Sequence, residues 1–149
     1  MKVLYTAEAT VTGGRDGRAR TSEGNLDLSL KPPKELGGPG GEPTNPEQLF
    51  ACGYGACYLS ALSLIARMQK ISAKEFSVDA KVDLGQTDDG GFGIQAELHC
   101  DLPGVDPEKA EELVRTAYAH CPFSKATRGS MRTHLFVGDQ PVETKTAVA

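Results

Sequence analysis

Cysteine is sparse. Four in 149 residues are too few for a disulfide scaffold. No CxxC pair and no HxxxH spacing occurs, so the usual zinc frameworks are missing. His99-Cys100 does not replace them, because neighbouring strand residues point to opposite faces. A basic excess is also missing: 16 Lys and Arg stand against 20 Asp and Glu, a net charge of −4. That balance favours solubility and argues against a nucleic-acid partner. The run GGPGG at 37–41 lacks the Gly-Lys-Ser/Thr ending of a phosphate loop, which argues against nucleotide binding. The opening MKVLYTAEATVTGG lacks the apolar run of a secretory signal. The expected compartment is a reducing cytoplasm, where a cysteine pair is more often catalytic or metal-binding than structural.

What is present fits one α+β domain over 1–149, without repeats or an internal linker. Val3, Tyr5, Ala7, Ala9 and Val11 alternate with polar residues across 3–12, which predicts a half-buried strand. Asp16-Gly17 predicts a two-residue hairpin loop flanked by Arg15 and Arg18. Leu26, Leu28 and Leu30 predict a third strand. After a Gly- and Pro-rich loop at 31–46, Asn45-Pro46-Glu47 is a helix start: a cap, a first-turn proline and a first-turn acid. The helix then runs from Leu49 to Ala66 without a charge. Its interleaved small and polar residues argue against a membrane span, although the length would allow one. A helix uncharged all round is buried on every side, and one domain of this size can hardly wrap it. A homodimer with this helix near its centre is therefore expected. A hairpin follows, with Phe76 to Leu84 and Phe92 to Leu102 alternating about the turn Asp88-Asp89-Gly90-Gly91. Asp106-Pro107-Glu108 opens a second helix whose Ala110, Leu113, Val114, Ala117 and Tyr118 share one face. A short turn with Ser124 and Thr127, a strand near 133–137 and a solvated tail at 139–149 complete the expectation.

Few residues carry chemistry. Cys57 lies deep in the uncharged helix, where small residues on its N-terminal side (Gly53, Gly55, Ala56) leave room for a ligand. Its local pattern fits a reactive thiol or a buried structural cysteine equally. Cys121 follows a helix end beside Pro122 and reads as a turn thiol or a packed one. Cys52 is about 140° around the helix from Cys57 and cannot bridge to it; Cys100 falls on the apolar strand face. A cysteine hydrolase would pair Cys57 with His99, His120 or His134, each of which also has an ordinary structural reading. Arg15 and Glu47 alone are a turn arginine and a helix-dipole partner.

Four segments in order, GGRDGR at 13–18, NPEQLF at 45–50, GYGACY at 53–58 and CPFSKATRG at 121–129, make the chain similar to the organic hydroperoxide resistance (Ohr) proteins of the OsmC/Ohr family. The resemblance covers roughly 3–137. It implies intertwined α+β homodimers, with antiparallel sheets around a long central helix and active sites at the subunit interface. It also implies a thiol peroxidase that reduces alkyl and fatty acid hydroperoxides to alcohols in oxidative stress. By the same resemblance Cys57 is the peroxidatic cysteine, Cys121 the resolving cysteine, Arg15 the supporting cation and Glu47 its carboxylate partner. Electrons come from a lipoylated protein or dihydrolipoamide, with no resident cofactor or metal. Cys52, Cys100 and the stretch after residue 138 are additions to the pattern. The alternatives are a redox sensor without turnover and the cysteine hydrolase.

The chemistry needs these residue types. The thiolate is the nucleophile toward a peroxide, and an apolar surrounding disfavours it. Cys57 is about three turns into its helix, beyond the reach of the helix dipole. A guanidinium supplies the missing charge and can stabilise the leaving alkoxide. Glu47 and Cys57 lie ten residues apart, about 15 Å along a straight helix. Either the helix bends at Gly53 or Gly55, or Glu47, with Arg15, acts across a dimer; the second is expected. Leu36, Phe50, Tyr54, Phe92 and Phe123 are the expected walls of an alkyl slot.

Overall fold

The computed structural model describes residues 1–144; residues 145–149, the end of the expected tail, lie outside the described residues. In order they form β1 (Ala9–Thr12), β2 (Gly17–Thr21), β3 (Asp27–Leu30), a single 3-10 turn at Lys34–Leu36, α1 (Pro46–Met68), β4 (Ser77–Gln86), β5 (Phe92–Asp101), α2 (Pro107–His120), α3 (Pro122–Thr127), β6 (Arg132–Val137) and β7 (Gln140–Val142). The chain divides into two compact units, Met1–Leu49 and the remainder from Phe50.

In the first unit β1, β2 and β3 make an antiparallel sheet. The strand expected over 3–12 is shorter, and residues 3–8 lie outside it and are exposed. The reason is the neighbour: β2 ends at Thr21 in a turn closed by the Gly24 N–H on the Thr21 carbonyl. That leaves little for the earlier residues to pair with. The hairpin turn also sits two residues earlier than expected, centred on Gly14 and Arg15. The Asp16 N–H closes the turn on the Gly13 carbonyl at 3.2 Å, and Gly13 and Gly14 take φ of +70° and +58°. Gly17 already belongs to β2, opposite Leu30. Its missing side chain serves close approach, since a Cβ there would collide with the Thr12 carbonyl oxygen. Arg15 therefore stands at the turn itself, while Arg18 holds Asp27 across β2 and β3 with bonds of 2.6 and 2.8 Å.

The second unit holds a four-stranded sheet in the order β4-β5-β6-β7. The hairpin pairs in full register from Ser77↔Asp101 to Gln86↔Phe92. The expected antiparallel arrangement holds for every pairing except β5 with β6, which is parallel. A chain that leaves β5 through two helices returns in the same direction. The turn expected at Ser124 and Thr127 is the helix α3. Part of the expected tail is β7, which pairs with β6 and buries Val142.

Helix α1 begins as expected, with the Asn45 side-chain oxygen accepting the Gln48 N–H at 2.9 Å. By length and composition alone it could cross a bilayer. Burial on every side is not found within one chain. Tyr54, Tyr58, Leu62, Ile65 and Ala66 form one buried stripe, whereas Cys52, Ala56, Ser60 and Leu64 are exposed. The stripe meets α2, where the Tyr58 hydroxyl donates to the Val114 carbonyl at 2.8 Å. Helix α2 is capped by Asp106 and buries the five residues its periodicity marked. Together with Leu98, Cys100 and Leu135 these residues make one hydrophobic core.

Candidate active site

The first unit assembles one of the expected pairs. The tip of the β1–β2 hairpin presents Arg15, and the first turn of α1 presents Glu47. The guanidinium grips the carboxylate with two bonds, Nη1 to Oε2 at 2.8 Å and Nη2 to Oε1 at 2.6 Å. This fork-on-fork geometry fixes direction as well as charge. Arg15 holds the Glu47 carboxyl below the usual carboxylate range, against a smaller opposing push from burial. The same bonds raise the arginine further above its ordinary value, so each partner favours the ionised form of the other.

The second unit assembles the other pair. Cys57 projects from the middle of α1, and Cys121 occupies the corner between α2 and α3, where Pro122 starts the new helix. Their sulfurs are 3.6 Å apart, with the Cys121 thiol donating to Cys57. Both are free thiols. Cys57 is half-buried and Cys121 is fully buried. A disulfide bond is about 2.05 Å, so a shift of roughly 1.5 Å joins them. Burial pushes the Cys57 thiol up, and the Cys121 thiol pushes the same way. The backbone N–H of Phe123 opposes both by favouring the thiolate. Within its own unit, Cys57 is thus placed for sulfur chemistry but not ionised for it.

Of the expected wall residues, three come together beside the sulfurs. The rings of Phe50 and Tyr54 lie 5.7 Å apart, and Phe123 is 6.4 Å from the first and 6.3 Å from the second. Phe92 does not join them. Phe92 stands 74% exposed at the end of the β4–β5 hairpin, and Leu36 stands 43% exposed in the 3-10 turn of the first unit. Alternation marked Phe92 as apolar-facing, but the β5 face is covered only from Ala96 onward.

The remaining thiols and the histidines are differently placed. Cys52 is exposed beside an open groove of about 320 Å³ between α1 and β4. Cys100 is buried in the core, and burial pushes its thiol up to about 12. His99 stacks on Phe136 and donates to Glu97, while His120 donates to the Thr116 carbonyl. Neither is among the groups acting on Cys57. Among the described residues no three His, Cys, Asp or Glu side chains gather as a metal site needs. One residue near the sulfurs escaped sequence reasoning. Ser124 is fully buried and its hydroxyl lies 2.9 Å from that of Tyr54. A lone serine in an expected turn carries no signal beyond its place three residues after Cys121.

Comparison with known proteins adds to this geometry. The family model described as OsmC-like protein matches residues 38–135. The organic hydroperoxide resistance protein of Xanthomonas axonopodis pv. citri is 51% identical over 135 residues, covering 90% of this chain and 94% of that protein. The organic hydroperoxide resistance protein OhrB of Bacillus subtilis is 42% identical over 135 residues, covering 89% and 96%. Among solved structures, an organic hydroperoxide resistance protein from Elizabethkingia anophelis superposes with a TM-score of 0.88 at 46% identity, covering 94% of this chain and 100% of that one. One from Legionella pneumophila gives 0.87 at 45%, covering 92% and 99%.

Proposed function

Because the chain belongs to the OsmC-like family and has its α+β fold, we propose that it is a cysteine peroxidase that reduces organic hydroperoxides in the defence against oxidative stress. The observation that carries this reading is the 3.6 Å gap between the sulfurs of Cys57 and Cys121. The Cys57 thiolate attacks one oxygen of the hydroperoxide, the O–O bond breaks, and the alkoxide leaves and takes a proton. Cys57 is then a sulfenic acid. The Cys121 sulfur attacks it, the S–O bond breaks, water leaves, and a disulfide remains. A dithiol of the lipoyl type returns both thiols by exchange. No resident cofactor enters these steps. Arg15, aimed by Glu47, supplies the positive charge that offsets the burial of Cys57 and steadies the departing alkoxide.

The protein works as a cytoplasmic homodimer in this reading. Support comes from the exposed apolar side chains of Val3, Leu4, Tyr5, Val11 and Leu64, and from the uncovered stripe of α1, which a second copy would remove from water. Arg15 and Glu47 are ion-paired within one chain, so they travel together. The helix that carries Glu47 is continuous from Pro46 to Met68, which supports their action on the partner's sulfur. The aromatic trio of Phe50, Tyr54 and Phe123 suits an alkyl chain rather than hydrogen peroxide.

The test is turnover. Reduced protein, an alkyl hydroperoxide and excess dihydrolipoamide are mixed and peroxide loss is followed. Many turnovers are expected, and none for Cys57→Ser. Turnover that survives Cys57→Ser sinks the reading. A single stoichiometric oxidation points to a sensor, and dependence on a histidine instead of Arg15 points to a hydrolase-like site.

A further inference from the structure

We propose that Tyr54 and Ser124 form a positioning pair that sets the distance between the two reacting sulfurs, and so governs the resolving step; this rests on the peroxidase reading above. Tyr54 lies three residues before Cys57 on α1, and Ser124 lies three residues after Cys121 on α3. The two helices therefore touch twice at matched spacing, once hydroxyl to hydroxyl at 2.9 Å and once sulfur to sulfur at 3.6 Å. Both hydroxyls belong to residues with no exposed surface. A hydroxyl taken out of water without a partner is costly; Ser124 is the main partner of the Tyr54 hydroxyl, with Thr133 and Thr127 acting on it more weakly, and the Ser124 bond is the one that ties α1 to α3 beside the cysteines. Alanine and phenylalanine would pack there without that directional demand. Backbone bonds carry the register from the hydroxyl to the thiol. The Lys125 N–H bonds to the Cys121 carbonyl and the Arg128 N–H to the Ser124 carbonyl, so Ser124 cannot shift without moving the α3 end that bears Cys121. Phe123, packed against both Phe50 and Tyr54, keeps α3 against α1 but fixes no separation by itself.

The pair acts on the second step only. Peroxide attack needs the Cys57 thiolate and the Arg15 charge, but no bond to Cys121. Disulfide formation needs Cys121 within reach of it, and its rate follows the effective concentration of one sulfur at the other. Ser124→Ala frees α3 to drift and lowers that concentration. In the wild-type protein, one equivalent of alkyl hydroperoxide should give a Cys57 sulfenate that closes rapidly to the Cys57–Cys121 disulfide. In Ser124→Ala, sulfenate formation should keep its rate while closure slows about tenfold, so dimedone traps more sulfenate and excess peroxide drives more sulfinate.

A second readout needs no peroxide. Equilibration in dithiothreitol redox buffers, with the disulfide mapped by peptide mass, should show the couple weakened by a similar factor. Tenfold corresponds to about 30 mV toward easier reduction. Tyr54→Phe, which deletes the same hydrogen bond from the other side, should weaken the couple equally, and combining it with Ser124→Ala should add little. If Ser124→Ala does not fold, Tyr54→Phe carries the test. Closure as fast as or faster than wild type, with an unchanged couple, overturns the proposal. If the wild-type protein forms no sulfenate, the peroxidase reading fails, while the buffer titration still decides whether the hydroxyl pair sets the sulfur gap.

Discussion

Glu47→Gln separates aiming from chemistry. In the wild-type chain the carboxylate holds Arg15 through two bonds of 2.8 and 2.6 Å. The amide keeps the shape but loses the charge and one acceptor. Charge-assisted bonds contribute about 1.5–3 kcal/mol each where solvent is excluded. The Arg15 side chain is 42% exposed, so screening leaves about 1–2 kcal/mol for the pair. A loss of that size lowers the population of the seated arginine by roughly 5- to 30-fold. Stopped-flow oxidation of Cys57 by an alkyl hydroperoxide at neutral pH should slow by the same factor, with a small change in the melting temperature. The pH profile gives a second check. Arg15 depresses the Glu47 pKa. The stabilisation is therefore complete above the ordinary carboxylate range and is lost as pH falls through the depressed value. Wild-type protein should show that acid limb, and Glu47→Gln should lack it. A variant as fast as wild type beside a slow Arg15→Ala would refute the aiming role, and a rate loss matched by unfolding would make it structural.

Two further outcomes follow from the same geometry. Mixed dimers of Arg15→Ala and Cys57→Ser chains should regain peroxidase activity, because one of their two sites is intact if the pair acts across the interface; mixtures as inactive as the parents would place the pair and the thiol on one chain. Cys100, buried and pushed up to about 12, should resist iodoacetamide in the native protein at pH 8 and react once the protein is unfolded in urea; equal alkylation rates in the two states would contradict the packed β5 face.

Much of this was legible where one periodicity met one partner. The five core positions of α2 follow from a helix with a single covered side, and the caps at Asn45 and Asp106 follow from local hydrogen bonding. Legibility failed where the partner lay outside the segment. Asp16-Gly17 has the composition of a tight hairpin loop, yet Gly13 and Gly14 take the positive φ because β2 begins at Gly17. β7 is three residues long and contains Pro141, so only its pairing with β6 distinguishes it from a tail. The two cysteines, Arg15 and Glu47 were recognised as a set through the four segments together, since no single one carries a unique signal. Phe92 stands exposed because alternation reports a strand's face and not how far along the strand that face is covered. Ser124 was invisible because its role is defined by Tyr54, seventy residues earlier.

The unequal burial of the two sulfurs makes the proposed peroxidase cycle one-sided. Cys121 offers no surface to an incoming reductant, whereas Cys57 retains some. In the proposed cycle a dithiol would therefore strike the Cys57 half of the disulfide and expel Cys121 as the departing thiol, so electrons would enter by the same door as the peroxide oxygen.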